Sequence, residues 1–243
     1  TDGLKGLEAA VAAGAAAGDA SQVLQVISRV DDAGRKAIRK FLQEVPICVH
    51  PAQSDEIFDI LVELKGKTDQ VRVRITSCHT NIVLIEKNGQ ALFQGSPQAD
   101  ESHPDGYEQL NVRDILEYAE TVPLEPVAPI LERQITYNTA ISQAGLTGRW
   151  GAAIGKTLLD MYGNDVTIRA RAAAAAGSDA RMSGCEKPVI INSGSGNQGM
   201  TASLPVIAYA QELGKSHQEL LRALLLSNLL TLHLKTGIGR LSA

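Results

Sequence analysis

The chain has 243 residues, enough to bury a sizeable core as one large or two small domains. Its formal net charge is −4, with both signs mixed along the chain, which argues against nucleic acid or an anionic membrane surface as a partner. The longest apolar run, within residues 220–234, carries Arg222, Asn228 and His233, which suits a buried helix and not a membrane span. Three widely spaced cysteines form no C-x-x-C pair, so a reduced, cytoplasmic protein is expected.

The first 94 residues change from helical to strand-like patterning. Helices are predicted over 4–17, 21–30 and about 31–44, the last with an acidic N-cap at Asp31 or Asp32. The strand-like segments are 45–50, 56–65, 71–76 and 82–87, and apolar and polar residues alternate in 71–76. Asn88-Gly89 between two apolar segments is a strong hairpin signal, so the strands are expected to pair locally and antiparallel.

The remainder of the chain returns to helical patterning. A loop is predicted over 95–107, a helix capped by Asn111, and a long helix from about Pro129 to Gln143. The glycines of segment 145–155 are expected to let segments approach closely, and further helices are predicted around 167–176, from about Met200, and after the capping box at 216–219.

Together these signals predict an α+β fold, mainly helical, with a small antiparallel sheet of about four strands inserted between helical segments. The expected organisation is a helical segment over 1–44, a β-rich subdomain over 45–107 and a helical domain over 108–243. No internal repeat is visible.

The Gly-rich segment 192–199 is the strongest functional signal. It reads as a short strand over 188–192, a loop over 193–199 and then a helix, so its backbone amides and the positive helix end are expected to hold a small anion. Asp179 and Arg181, which flank the loop, are also candidate substrate-binding residues, and Arg181 is expected to pair with a substrate carboxylate or with Asp179. The candidate binding residues of the segment are Asn192, Ser193, Gly194, Ser195, Gly196, Asn197, Gln198 and Gly199.

Two other interpretations of this segment remain open. Residues 194–199 satisfy the G-x-G-x-x-G pattern of dinucleotide-binding proteins, but helix follows helix afterwards and no second strand closes a βαβ unit. The glycines also suit a turn that only lets a helix pack closely against its neighbours.

Several segments in order along the chain carry a family resemblance. These are His79-Thr-Asn-Ile-Val83, Asn138 to Gly151, Asp179-Ala-Arg-Met182, Asn192 to Gly199 and Gly239 to Ala243. With them the chain resembles the L-cysteine desulfidase family, related to the iron–sulfur L-serine dehydratases and their alpha chains, and looks truncated at both ends. The resemblance adds His79, Thr80 and Asn81 to the candidate substrate-binding residues, although a strand end that satisfies its own hydrogen bonds would also explain them.

The resemblance implies a lyase that takes the Cα proton from L-cysteine or L-serine and expels sulfide or water. The resulting aminoacrylate then hydrolyses to pyruvate and ammonia. It also implies a [4Fe–4S] cluster, with ligands that do not map onto Cys48, Cys78 or Cys185 and so are expected outside this chain. The sequence points to no metal ligand within the chain and to no catalytic base.

A non-catalytic module that binds an amino acid is the alternative function, and a nicotinamide-dependent oxidoreductase is a distant third. The expected ligand in both leading cases is a small amino acid. The glycine-dense segment 145–155 and the apolar segment 220–234 predict a surface covered by other parts of a longer protein or by a second copy, as in a homodimer.

Overall fold

The computed structural model describes residues 3–96 and 109–236. Each of these two ranges belongs to a compact unit of its own. Most of the loop predicted over 95–107 and the family-like segment 239–243 lie outside the described residues. The fold is α+β as predicted. Along the chain, helices precede and follow a four-stranded antiparallel sheet. In the part of the chain that the structure describes, no helix combines the length and apolar character needed to cross a membrane.

The N-terminal unit begins with two helices. Helix α1 spans Leu7–Ala17 and α2 spans Asp32–Glu44, and a 3-10 helix at Ala20–Gln25 lies between them, shorter than the helix predicted over 21–30. Asp31 caps α2 as predicted, accepting a hydrogen bond from the amide of Gly34 at 2.8 Å. Small residues of α1, among them Ala12 and Ala13, pack against larger apolar residues of α2, of which Ile38 is fully buried.

Four strands follow in the order β1-β2-β3-β4, each antiparallel to the next. They span β1 Asp59–Lys65, β2 Gln70–Thr76, β3 Ile82–Lys87 and β4 Gln90–Gln94. Val62, Val73 and Ile85 lie opposite one another on one face of the sheet. On the other face, Arg72 lies between Glu63 and Glu86, with N–O separations of 3.4 and 3.6 Å.

The strand predicted over 45–50 is wrong, because the chain between α2 and β1 is irregular. Its apolar residues resemble a strand in composition, but Pro46 and Pro51 have no amide hydrogen to donate to a neighbouring strand. The hairpin predicted at Asn88-Gly89 is confirmed, with φ angles of 53° and 78° in the left-handed region.

The C-terminal unit is a bundle of six helices within its described residues. These are α3 Val112–Thr121, α4 Ala128–Thr147, α5 Ile154–Tyr162, α6 Val166–Met182, α7 Gly196–Glu212 and α8 His217–Lys235. The predicted Asn111 cap and the capping box of Ser216 and Glu219 are both present. Apolar residues of α4, α6, α7 and α8 form the core, including Ile141, Met200 and Leu224, which are fully buried.

Helix α6 packs against α4, α5 and α7, and small residues line these contacts. A Cβ atom on Gly145 of α4 would lie 2.0 Å from the carbonyl oxygen of Ala176, and one on Gly155 of α5 would lie 2.4 Å from that of Ala172. The close approach predicted from these glycines is therefore confirmed. Both glycines are buried against α6 of their own chain.

Candidate anion-binding site

The segment that enters the Gly-rich loop is not a strand, contrary to the strand predicted over 188–192. It forms only an isolated bridge, in which Asn192 and Ser195 exchange backbone hydrogen bonds of 3.1 and 3.0 Å. Ser193 and Gly194 between them have φ angles of 48° and 79°, as in the two-residue turns of tight hairpins. The turn therefore delivers the chain directly to Ser195, the residue before α7.

A helix side chain takes the place of a strand partner for this segment. Asn138 of α4 accepts a hydrogen bond from the amide of Ile190 at 2.9 Å and donates to its carbonyl oxygen at 3.3 Å. Asn138 is fully buried and also donates to the hydroxyl of Ser203 at 3.0 Å. Because one amide side chain satisfies both backbone groups, no neighbouring strand is needed.

Helix α7 begins at Gly196, four residues earlier than predicted. Ser195 is its N-cap, and its hydroxyl accepts a hydrogen bond from the amide of Gln198 at 3.3 Å. The amides of Gly196 and Asn197 have no acceptor among the described residues. These two donors lie at the positive end of the helix dipole, which is the usual arrangement of an anion site at a helix start.

Arg181, in the last turn of α6, lies against this helix start. Its Nη1 donates to Oδ1 of Asn197 at 3.2 Å, and a Cβ atom on Gly196 would lie 2.5 Å from its Nε. No carboxylate of the described residues forms an ion pair with Arg181. A cation near the positive end of a helix is electrostatically unfavourable, so a bound anion would be stabilised by both groups.

Asp179 is directed to a different helix and not to Arg181. Its Oδ2 accepts a hydrogen bond from the amide of Ile154, the first residue of α5, at 2.7 Å. Asp179 and Arg181, which both lie within the described residues, therefore do not form the ion pair that the sequence left open. Asp179 stabilises the start of α5, where a carboxylate suits the helix dipole.

The three glycines of the loop occupy positions that favour glycine for different structural reasons. Gly194 occupies a left-handed turn position, whereas Gly196 lies against Arg181 and Val189. A Cβ atom on Gly199 would lie 2.1 Å from the carbonyl oxygen of Ile190. Close packing therefore explains two of the three glycines, and the dinucleotide-binding interpretation has no support, because no parallel strand occurs in the described residues.

Asn192, at the start of the turn, is almost entirely buried. Its Nδ2 donates to the backbone oxygen of Asn228 in α8 at 3.1 Å and to the Oδ1 of the same residue at 2.9 Å. Its own Oδ1 is buried and has no hydrogen-bond partner within the described ranges. The side chains of Ser193 and Gln198 are half-buried, and no hydrogen bond in the described part of the chain uses them.

His79, Thr80 and Asn81 lie in the N-terminal unit, in the turn between β2 and β3. The amide of Asn81 donates to Cys78 at 3.1 Å, and its carbonyl oxygen accepts from Thr76 at 3.1 Å. The ring of His79 contacts that of Phe58 at a centroid distance of 4.9 Å. The role of these three residues in a common site with the Gly-rich loop stays a prediction.

The described residues do not fit an iron–sulfur cluster. The only three cysteines of the chain, Cys48, Cys78 and Cys185, are free, and Cys48 is exposed. No group of three His, Cys, Asp or Glu side chains suitable for a metal occurs within residues 3–96 and 109–236. A [4Fe–4S] cluster needs three or four cysteine ligands on one site, so no step can be assigned to it in this chain.

The fold and site thus define an α+β protein in which an arginine lies against a helix start with two amides that have no acceptor among the described residues. Comparison with known proteins identifies its family. The family model for the serine dehydratase alpha chain matches residues 21–243. The chain belongs to the serine dehydratase alpha chain family.

Curated relatives of the chain include UPF0597 proteins of several bacteria. The chain is 55% identical over 244 residues to a UPF0597 protein of Desulfitobacterium hafniense, covering all of this chain and 57% of the relative. A UPF0597 protein of Finegoldia magna is 46% identical over 244 residues, with 100% of this chain and 58% of the relative covered. The chain therefore spans a little over half the length of these relatives. No solved structure matches it.

Proposed function

We propose that this protein takes part in a β-elimination of the serine dehydratase type, and that it binds the carboxylate of L-serine or L-cysteine between Arg181 and the start of α7. The observation that carries the proposal is the guanidinium of Arg181, without an acidic partner among the described residues, beside two amide donors of a helix start. Membership of the serine dehydratase alpha chain family supports the choice of a small amino acid as ligand.

The energetics of this arrangement suit a small ligand. A hydrogen bond to a charged group contributes about 1.5–3 kcal/mol, and a helix start contributes about 0.3–1 kcal/mol to binding of an anion. At the lower ends of these ranges, one bond from Arg181, one from the amide of Gly196 or Asn197 and the helix start sum to about 3–4 kcal/mol, which corresponds to a Kd in the millimolar range. Affinity in that range is typical of enzymes that act on abundant metabolites.

The same residues would also assist the chemistry. Loss of the Cα proton in a β-elimination moves negative charge toward the carboxylate of the substrate. Donors that already contact the carboxylate stabilise this charge without having to reorganise, which lowers the barrier. Arg181 and the start of α7 are therefore proposed to orient the substrate and to stabilise the developing charge, and the base that takes the proton is not assigned.

The binding step is tested by isothermal titration calorimetry of the chain with L-serine and L-cysteine. We expect Arg181→Met to weaken binding by about tenfold or more, because one charge-assisted interaction is lost. Arg171→Met is the matched control, since Arg171 is an exposed arginine of the same helix, and its Kd is expected to stay within about twofold. Equal affinities of the wild type and Arg181→Met would contradict the site.

The lyase step is tested on the full-length relative of Desulfitobacterium hafniense and on this chain, after anaerobic treatment with iron and sulfide. We expect the relative to show cluster absorbance and to form pyruvate from L-serine or L-cysteine, and this chain to form neither, because its cysteines do not form a cluster site. A relative that forms no pyruvate, together with binding of the amino acid, would instead favour the non-catalytic binding module.

We also propose a cytoplasmic location and a homodimer. The three free cysteines support the location, since reducing compartments keep thiols unpaired. Leu234 of α8 is 69% exposed and supports an interface there, whereas Gly145 and Gly155 are already covered by α6. Light scattering of the purified chain distinguishes a dimer from a monomer.

A further inference from the structure

The turn of the candidate site is connected to two helices by a chain of three amide side chains. Asn192 donates both to the backbone oxygen of Asn228 and to its side-chain oxygen. Asn228 in turn exchanges two hydrogen bonds with Gln134 of α4. Only 2% of Gln134 and 5% of Asn192 is exposed to solvent, so water cannot substitute for these partners.

The amide of Asn228 can adopt only one orientation in this network. Its Nδ2 donates to Oε1 of Gln134 and to the backbone oxygen of Leu224, both at 2.8 Å. Its Oδ1 accepts from Nε2 of Gln134 at 3.0 Å and from Nδ2 of Asn192 at 2.9 Å. Rotating the amide by half a turn would bring donor against donor toward Asn192, and an unmade buried hydrogen bond is costly.

The fixed amide of Asn228 also fixes the turn. The NH2 group of Asn192 is held at two acceptors, and the backbone of Asn192 is joined to Ser195 by two hydrogen bonds. Ser195 is the cap of α7, so its position determines where the free amides of Gly196 and Asn197 lie relative to Arg181.

Resting on the proposed function, we propose that Asn228 and Gln134 are positioning residues of the carboxylate site. Their side-chain hydrogen bonds in the described residues go to each other, to Asn192 and to the backbone of Leu224, and we propose that they act through Asn192. Their role is to hold the turn at 192–195 in the geometry that places the helix start against the guanidinium. Stability alone would be served as well by apolar side chains at these buried positions, since networks of buried polar groups offset their desolvation cost only when fully satisfied.

The test compares Asn228→Ala with Ser227→Ala in the full 243-residue chain. Ser227 is the neighbouring residue on α8, and its hydroxyl donates to the backbone oxygen of Ala202 in α7 at 2.7 Å. Ser227→Ala therefore removes one interhelical hydrogen bond and leaves the hydrogen bonds of the turn in place. Three quantities are measured for each variant: Kd for L-serine or L-cysteine by calorimetry, hydrogen exchange of the amides of residues 194–197, and Tm.

We expect Asn228→Ala to weaken ligand binding by about tenfold and to speed exchange in the turn by about tenfold, because Asn192 loses its hydrogen bond to Oδ1 of Asn228 and both hydrogen bonds between Asn228 and Gln134 are lost as well. Ser227→Ala is expected to lower Tm while Kd and exchange in the turn stay within about twofold. The double variant Asn192→Ala/Asn228→Ala should bind no more weakly than whichever of the two single variants has the higher Kd, because Asn192 and Asn228 act through their contact with each other.

Gln134→Leu is the second variant, in case Asn228→Ala does not fold. It leaves the Asn192–Asn228 hydrogen bonds in place and removes one of the two residues that orient the amide of Asn228, while the backbone oxygen of Leu224 remains. We therefore expect a smaller loss of affinity, about threefold. The proposal is overturned if exchange in the turn matches that of the wild type in every one of these variants that folds, or if Ser227→Ala weakens binding as much as they do. A wild type that binds neither amino acid refutes the proposed function, and exchange in the turn still decides the positioning role.

Discussion

At the scale of single residues, Gly199 shows how little space the site allows. It lies in the first turn of α7, which crosses the backbone of Ile190 and Ile191. The atoms that an added methyl group would meet are backbone atoms, which cannot move aside as a flexible side chain can. The helix start would therefore have to shift away from the turn.

We expect Gly199→Ala to lower the free energy of unfolding by about 3 kcal/mol, the upper range for overpacking of a buried site, and to weaken amino-acid binding as the helix start moves. Thr201→Ala, at an exposed position of the same helix, is the control, with a change of about 0.5 kcal/mol. Chemical denaturation gives both values. Wild-type stability of Gly199→Ala would mean that α7 does not contact Ile190 closely.

Some residues of the candidate site could be predicted from the sequence, and others could not. The Gly-rich segment and Arg181 stand close together in the sequence, so their association could be predicted. Asn138 and Asn228 form hydrogen bonds with Ile190 and Asn192 from positions 52 and 36 residues away, and Gln134 is connected to the turn only through Asn228, 94 residues from it. No local sequence pattern indicates such contacts. One signal was present: Gln134, Asn138 and Ser142 recur every four residues, which places three polar side chains on one face of α4, the face that is buried.

At the scale of secondary structure, elements with local signals were predicted and those that need distant partners were not. The hairpin at Asn88-Gly89 and the caps at Asp31, Asn111 and Ser216 depend on neighbouring residues only. The predicted strand over 188–192 fails because its partner is the side chain of Asn138 and not another strand. A strand is defined by its neighbour, so composition alone cannot establish one.

The capping box of α8 predicts a specific pH dependence of stability. Hydrogen bonds from the backbone amide of Ser216, from Lys215 and from the hydroxyl of Ser216 lower the pKa of Glu219 from 4.5 to about 2. Because the folded-state pKa lies below the unfolded value, the carboxylate stabilises the folded state above about pH 4.5, and this contribution is lost as the pH falls toward 2.

We therefore expect Glu219→Gln to have a lower Tm than the wild type at pH 7, and the difference to shrink between pH 5 and pH 2 until the two proteins unfold alike. Differential scanning fluorimetry over this pH range measures the difference. A gap in Tm that stays constant with pH would show that the charge of Glu219 does not contribute to the cap.

At the scale of the C-terminal unit, the last turn of α6 joins two helix starts. Asp179 accepts a hydrogen bond from the start of α5, and Arg181 lies against the start of α7. The two residues are two positions apart on α6. The negative charge of Asp179 lies at the positive end of α5, whereas the positive charge of Arg181 lies at the positive end of α7. One end is thus neutralised within the protein, whereas the other retains excess positive potential.

That difference affects the choice of solution conditions. Sulfate, phosphate and citrate are small anions of the kind that helix starts and arginines bind, and millimolar amounts are common in purification buffers. If the start of α7 binds the substrate carboxylate as proposed, we expect such ions to occupy it before any amino acid is added and to raise the apparent Kd as their concentration rises. A zwitterionic buffer with chloride as the counterion leaves this competition out, and a titration repeated with added sulfate then measures its strength directly.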